Sequence, residues 1–595
     1  MARMHTLITS TMLLLLVTLV VAKEPWPSKI EGHTPPKPGE HPRLLFRKSD
    51  LPALRAKAKT PEGKAILKEL GERLNGRDGR TMPGKMGHGD GPNMPNPANP
   101  TAKGTFTISH VVGYGLLYQI TQDKRYAELG KKAMDAALAG WRGMDKRYSF
   151  RNPSGALRAG PSLGWYAVGY DLCYDGWDKD YRVKIAKEIA NYNEGRNMSL
   201  AELVRGSRHH PRSNHWGMQV GGGAMALLAV LGDEGGIPAD KADKLLETSE
   251  KSMIRNLSQG FGDGGYFAEG DGTGSMSSHI IFLQALEAWK NVAGKDFITP
   301  RPNAQWTHLR WILGTVVKNG KPHFHSRDGY PHNVWDRDSI SGGAYFGIGF
   351  GAATPAQKAG YLWFYNEFFK DHDTKKGHPY DTPGPYPHQS TLAFINWPVG
   401  LTPVNPAECM PRASVDHQYS YMMFRNRWKD ENDIVMTCLA SRPRGHTKQN
   451  VIGPLWITAK MKRYSWGKMS GKVKHFAVMR DGCATATTSD GTMLAVDFSG
   501  NSGHPAMLVM VGPGAPRGRQ VKADDVTYSV HFIDNGDPAC KNPPTPQAKD
   551  GKLVVGKQVV SVQDGKLALH NTAKPWDGPS DKAKQALAKW MKEKK

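Results

Sequence analysis

Residues 213–232 read SNHWGMQVGGGAMALLAVLG. From Trp216 onward the stretch is apolar on every side of a helix, and such a helix must be enclosed by protein. Its polar residues are gathered at the mouth. Ser213 or Asn214 reads as the N-cap that satisfies free amides. His215, an early helical residue, falls at the rim of whatever encloses the helix. The same design recurs along the first two thirds of the chain. TISHVVGYGLLYQITQ precedes KRYAELGKKAMDAALAGW, PSLGWYAVGYDLCYDGW precedes KDYRVKIAKEIANYNE, and SMSSHIIFLQALEAWKNV precedes QWTHLRWILGTVVKN. In each pair the first helix is apolar or aromatic nearly all round, and the second is more often charged and amphipathic.

The apolar members start near residues 106, 161, 214 and 275. Helical hairpins repeating at that period stack or close into a ring. The loops between pairs are long and Gly-rich, as functional loops are, which favours a ring over a uniform open solenoid. After about residue 400 the pattern changes. YSYMMFRNRW, DIVMTCLAS, HFAVMRDGCATATTSDGTMLAVDFSG, AMLVMVGPG, VTYSVHFID and KLVVGKQVVSVQDGKLALHN are short, rich in Val, Tyr, Phe and Thr, and punctuated by Gly and Asp. Antiparallel strands follow. The expected fold is an α+β multidomain chain: an N-terminal (α/α) toroid, an incomplete helical barrel, over 23–400, followed by a C-terminal antiparallel β-sandwich over 401–577. A basic C-terminal helix occupies 578–595.

The first 22 residues combine a basic start, an apolar run from about Met12 to Val21 and a small-residue site at Val20-Val21-Ala22. These are the parts of a secretory signal peptide; the run is too short for the ~20 residues of a membrane span. The expected location is secreted or periplasmic, with no stable membrane insertion once the signal is removed. The formal net charge of +24 suits a polyanionic partner. Export excludes intracellular nucleic acid, leaving an anionic polysaccharide as the expected partner. Five cysteines, Cys173, Cys409, Cys438, Cys483 and Cys540, match neither metal-finger spacing nor a dense disulfide framework. Cys173 reads as a core thiol, and one bridge among the other four stays open.

Four stretches hold more reactive side chains than their setting needs. The first is the mouth just described, RGSRHHPRSNHW, with Arg212 and Trp216 flanking Asn214 and His215. The second is GFGDGGYFAEGDGTGSMSSH, residues 260–279, in which glycines permit close backbone approach around Tyr266 and Glu269. The third, residues 323–347, crowds His325, Arg327, Tyr330 and Arg337 into one loop. The fourth is SRPRGHTKQN, carrying Arg444 and His446, inside a span 434–480 with ten Lys or Arg and no Asp or Glu. No complete ligand set for a metal is visible. No cofactor is expected, and a structural zinc or calcium is left open.

HPRLLFRKSDLPALRAKA, GWYAVGYDLCYDGW, NHW heading an apolar helix, DGGYFAEGDG and a late Gly-His together resemble the heparinase II/III and alginate-lyase superfamily of polysaccharide lyases. The resemblance implies a toroid followed by a β-sandwich, and β-elimination of uronic-acid glycans. Carried over motif by motif, it implies that Asn214 and His215 neutralise the sugar carboxylate, Tyr266 moves protons and His446 assists. It also implies that Arg212, Trp216, Glu269, His325, Arg327, Tyr330, Arg337 and Arg444 contact substrate. Two features depart from the family pattern: EGDGTGSMSS lacks the usual tyrosine, making Tyr330 and Tyr345 rivals of Tyr266, and RGHTKQN replaces a longer Gly-His run. The expected function is that of an exported lyase cleaving an acidic glycan. The alternatives are a glycoside hydrolase using Glu269 with Asp263 or Asp271, and a non-catalytic glycan-binding protein. Oligomeric state is not fixed by any of these residues.

Overall fold

The computed structural model describes residues 26–86, 103–143, 147–270, 278–301, 303, 310, 312–324, 345–368, 386–441, 453–460, 462–571 and 574–593. The expected signal peptide lies outside them. The helices are α1 (Leu51–Lys57), α2 (Pro61–Asn75), α3 (His110–Thr121), α4 (Lys124–Leu138), α5 (Ala156–Cys173), α6 (Lys179–Ala190), α7 (Leu200–Arg205), α8 (Asn214–Ala229), α9 (Ala239–Arg255), α10 (Leu283–Ala293), α11 (Tyr345–Ala352), α12 (Pro355–Phe368), α13 (Pro387–Asn396), α14 (Pro406–Cys409) and α15 (Asp581–Glu593). The apolar helices pack in a circuit, α3 on α5, α5 on α8, α8 on α10, then α11 and α13, and α13 returns to α3. Outside it, α4 backs α3 and α5, α7 and α9 back α8, α12 backs α11, and α2 bridges α13 and α3. After α10, β2 (Lys295–Asp296) pairs with the N-terminal β1 (Ser28–Lys29), and the described residues then form a short hairpin, β3 (Thr315–Lys318) with β4 (Lys321–Phe324), where a helix through TVVKN was expected. The β-branched pair Val316-Val317 favours a strand, and Val316 is buried against Val435 and Ile457 of the β region.

The three glycines of the opening stretch explain how the circuit closes around α8. Successive helical positions point about 100° apart, so Gly221, Gly222 and Gly223 face three different neighbours. A Cβ on Gly221 would stand 2.7 Å from the Phe282 Cα, on Gly222 1.8 Å from the Gly160 carbonyl oxygen of α5, and on Gly223 2.7 Å from the Val204 amide nitrogen of α7. Each glycine lets one backbone come closer than any side chain permits. Gly222→Ala should therefore destabilise the helical domain by about 2 kcal/mol, although alanine raises helix propensity by about 1 kcal/mol. A calorimetric melting scan reads this, and a stabilised variant would contradict the packing account.

At the far end of α8 a buried ionic network anchors the N-terminal segment. His41 Nδ1 lies 2.6 Å from Asp171 Oδ1 and its Nε2 2.9 Å from Asp233 Oδ2. Arg43 donates to the same Asp233 oxygen at 2.9 Å, as does the Tyr170 hydroxyl at 2.8 Å. Asp171 also accepts the amides of Arg43 and Leu44. The HPRLLF motif is thus a structural clasp between the N-terminal segment, α5 and the turn after α8.

The β region has three sheets. The first runs β5 (Ala413–Asp416), β6 (Tyr421–Arg425), β7 (Val435–Leu439), β8 (Gly453–Ile457) and β9 (Arg463–Ser465) in sequence order. The second contains β10 (Val473–Val478), β11 (Cys483–Thr488), β12 (Met493–Asp497), β13 (Met507–Val511), β14 (Gln520–Ala523) and β15 (Val526–Phe532), ordered β10-β11-β12-β13-β15-β14. The third is the meander β16 (Gln547–Lys549), β17 (Lys552–Val555), β18 (Gln558–Gln563) and β19 (Lys566–Leu569). Every pairing is antiparallel. Asp550-Gly551 and Asp564-Gly565 both have positive φ at their two positions, the turn type that two-residue hairpins require.

Alternation along β6 places the layers. Met422 and Phe424 face Leu494, Leu508 and Met510 of the second sheet, whereas Tyr421 and Met423 join the helical core. The second sheet buries its other face, including Met507 and Val509, on Leu553, Val560 and Leu567 of the third. The expected two-sheet sandwich is therefore extended by a third sheet. The basic C-terminal helix α15 returns to the helical domain, where the Trp590 indole donates to the Val399 carbonyl at 2.9 Å. All five cysteines are free thiols, so no bridge forms. Cys173 is the expected core thiol, packed where Gly115 and Gly130 make room for its sulfur. No described helix is long and apolar enough to cross a membrane.

Candidate active site

The mouth of α8 resolves the ambiguity of its first residues. Ser213 is the N-cap: its Oγ accepts the His215 amide at 3.3 Å. Asn214 is the first helical residue, and its backbone amide donates to Glu269 Oε2 at 2.8 Å. The residue as a whole is 4% exposed, and its side chain makes no hydrogen bond among the described residues. His215 is half-buried, with its ring stacked on His209 at 4.4 Å. His209 Nδ1 lies 3.0 Å from the Ser207 carbonyl and 2.8 Å from the Gln219 side-chain nitrogen, which fixes that stack.

The Gly-rich loop lies across this mouth. It leaves α9 through a wide π turn at Asn256–Gly260, and a second π turn at Ser278–Phe282 leads into α10; such turns recur at functional positions. Its glycines press on protein. A Cβ on Gly260 would lie 2.5 Å from the Pro211 carbonyl, on Gly262 2.1 Å from Asp416 Oδ1 and on Gly264 2.1 Å from the Val415 carbonyl. The expectation that these glycines admit a ligand is corrected for these three: they wedge the loop between the helix mouth and the start of the β region. Glu269, expected to contact substrate, accepts the first amide of α8, where the helix terminus favours an anion.

Asp416, Tyr419 and Tyr421 complete the cluster from the β side, and none of them stands out in the sequence. Asp416 Oδ2 accepts the amides of Gly264 and Tyr266, each at 3.0 Å, and Oδ1 accepts the Tyr419 amide at 2.9 Å. Burial pushes the Asp416 carboxyl up to about 6, the Asp263 charge adds to that, and the Tyr419 and Tyr266 amides oppose it. Asp263 pairs with the exposed His417 at 2.8 Å. Tyr266 is fully buried, its ring stacked on Tyr421 at 4.3 Å, with the Arg310 guanidinium 5.0 Å from its centroid. Tyr419 is half-buried and its hydroxyl donates to the Gln259 carbonyl. Burial raises the Tyr419 phenol, and the adjacent Arg212 is the strongest influence drawing it back down.

The fold thus brings Asn214, His215, Arg212, Glu269 and Tyr266 to one place, where three chain segments meet. Trp216 turns away from it: the indole is buried, donates to the Ser252 carbonyl at 3.1 Å and carries Arg255 over its ring at 4.7 Å. Its place is in the core, not against a substrate. His325, Arg327, Tyr330, Arg337, Arg444, His446 and Asp271 lie outside the described residues. Tyr345 opens α11. No cluster of His, Cys, Asp and Glu suited to a metal occurs among the described residues.

No family model matches the chain, and no curated protein matches it in sequence. Its solved structural neighbours include a crystal structure of heparinase III, at 10% identity and a TM-score of 0.35, covering 68% of this chain and 62% of that one. A heparinase III gene product follows at 11% identity and 0.33, covering 69% and 64%. Its methylated-lysine form stands at 12% and 0.32, covering 78% and 74%. The chain thus spans less than two thirds of the first two.

Proposed function

We propose that the protein is an exported polysaccharide lyase that cleaves an acidic, uronate-containing glycan by β-elimination at the mouth of α8. The observation that carries this reading is the Asn214 side chain, which makes no hydrogen bond among the described residues, at the mouth of α8 beside the rim imidazole of His215. A hydrogen bond from this amide to a substrate carboxylate would be charge-assisted and so stronger than one between neutral groups. Elimination needs that carboxylate neutralised, because the adjacent C–H proton becomes removable only as charge spreads into an enolate-like intermediate. Asn214 donates to one carboxylate oxygen, and His215 and the exposed Arg212 supply the remaining donors.

Proton removal and protonation of the leaving glycosidic oxygen both suit a tyrosine. Tyr266 is enclosed and packs the floor, so the role falls to Tyr419, whose hydroxyl is beside Arg212. The base takes the proton next to the carboxylate, the bond to the glycosidic oxygen breaks, and that oxygen leaves with a proton, consuming no water. The hydrolase alternative is weaker on this geometry. Its two described carboxylates are engaged, Glu269 on the Asn214 amide and Asp263 on His417. Export, the anionic glycan partner and the assisting roles of His446 and Arg444 belong to the same reading.

A panel of uronate glycans followed by ultraviolet absorbance tests it. The expected result is an absorbance rise from unsaturated ends that Tyr419→Phe abolishes and Tyr266→Phe only weakens. Full activity in Tyr419→Phe would move the proton-transfer role elsewhere, and ultraviolet silence on every acidic glycan would overturn the lyase reading, with new reducing ends then marking the hydrolase and their absence the binding protein.

A further inference from the structure

We propose that a pocket at the edge of the first two β-sheets, away from the α8 mouth, binds a single carboxylate or sulfo group through Arg412. The pocket holds about 140 Å³ and is lined by Arg412, Arg427, Ser499, Gly500, His504 and Asn535, among others. Its lining carries two arginines and one aspartate. Arg412 is half-buried, donates from Nη1 to the Asn426 carbonyl at 2.8 Å and forms no ion pair among the described residues. Its Nε is buried without a hydrogen-bond partner.

The other charges are already engaged. Arg427 pairs with Asp430 at 2.8 Å. Asp537, the carboxylate in the lining, accepts the Ala539 amide at 3.0 Å. His504 places Nδ1 2.6 Å from the Pro505 carbonyl and Nε2 3.2 Å from Asp497. Asp497 in turn accepts from Ser499, Ser502 and Gln558, and stays well below the usual carboxylate range despite burial. Burial also draws the Arg412 guanidinium below its ordinary value, although the charges of Asp481 and Glu408 oppose that shift. The Arg412 guanidinium belongs to the pocket lining, and the shape of a guanidinium fork matches a planar carboxylate or one face of a sulfo group. The volume admits one such group with part of a sugar ring.

The two sources of that group are free anions and acidic saccharides, and titration calorimetry separates them. The His215→Ala chain, chosen to prevent turnover, is titrated with inorganic sulfate, with acetate and with a sulfated uronate disaccharide. Arg412→Gln in that background should weaken binding roughly ten- to hundredfold. Gly500→Asp provides a second variant that removes no packing: Gly500 has φ +69° with nothing within 4 Å of an added Cβ, and Asp tolerates that backbone region better than most residues. Its carboxylate at the rim should weaken binding as well. Disaccharide tighter than sulfate identifies a glycan subsite, and equal affinities identify a free-anion site. Absence of binding, or both variants binding like the parent, overturns the proposal. Because calorimetry reads occupancy and not elimination, the pocket stands or falls independently of the lyase reading.

Discussion

Asp233→Ala is expected to lower the stability of the helical domain by about 3–5 kcal/mol, the cost of leaving buried partners of an ion network uncompensated. Asp233 is 7% exposed and accepts from four groups: His41, Arg43, Tyr170 and the Gly39 amide. Truncation leaves the Arg43 guanidinium facing only the backbone carbonyls of Ala229 and Leu231. It also leaves the Tyr170 hydroxyl without its acceptor. Asp233→Asn keeps an acceptor oxygen while losing the charge, and should fall between Asp233→Ala and the parent. Calorimetric melting of the three chains reads the order, and a loss below about 1 kcal/mol in Asp233→Ala would show the clasp to be dispensable.

The second large effect is catalytic. Asn214→Ala and His215→Ala should each reduce kcat on an acidic glycan by about 10²–10³, the range seen when one donor to a developing oxyanion is removed. Binding should suffer less than kcat, because the carboxylate gains charge as the intermediate forms. Melting should move little in either variant. Ser213 supplies the cap and the Asn214 backbone supplies the bond to Glu269, so neither side chain holds the helix start. Unchanged kcat in both variants would remove the mouth of α8 from the chemistry.

The ring was legible because its evidence is local. Apolar helices with no polar face announce enclosure, whereas the close approaches at Gly221, Gly222 and Gly223 emerge only from the folded chain. The strands after residue 413 were legible through alternation and Asp-Gly turns. What escaped reading depends on long-range partners. Nothing near Asp416 signals that it will hold the amides of Gly264 and Tyr266, some 150 residues earlier. His41 looked like part of a family motif, and its two carboxylate partners lie 130 and 192 residues away. TVVK was read as helix because the apolar run before it continued the helical spacing, while its β-branched residues were bound for a hairpin. The Gly-rich loop meets Asn214 through Glu269, and Gly260, Gly262 and Gly264 seat it between the helix mouth and the start of the β region. Tyr419 was passed over because its position beside Arg212 exists only after folding.

The most direct test of elimination at this site is the fate of solvent oxygen. The chain is incubated with an acidic glycan in water enriched in heavy oxygen, and both product ends are weighed by mass spectrometry. The lyase account predicts two ends whose masses sum to that of the substrate, one unsaturated and neither carrying heavy oxygen. Products heavier by one water, with heavy oxygen at the new reducing end, would contradict it.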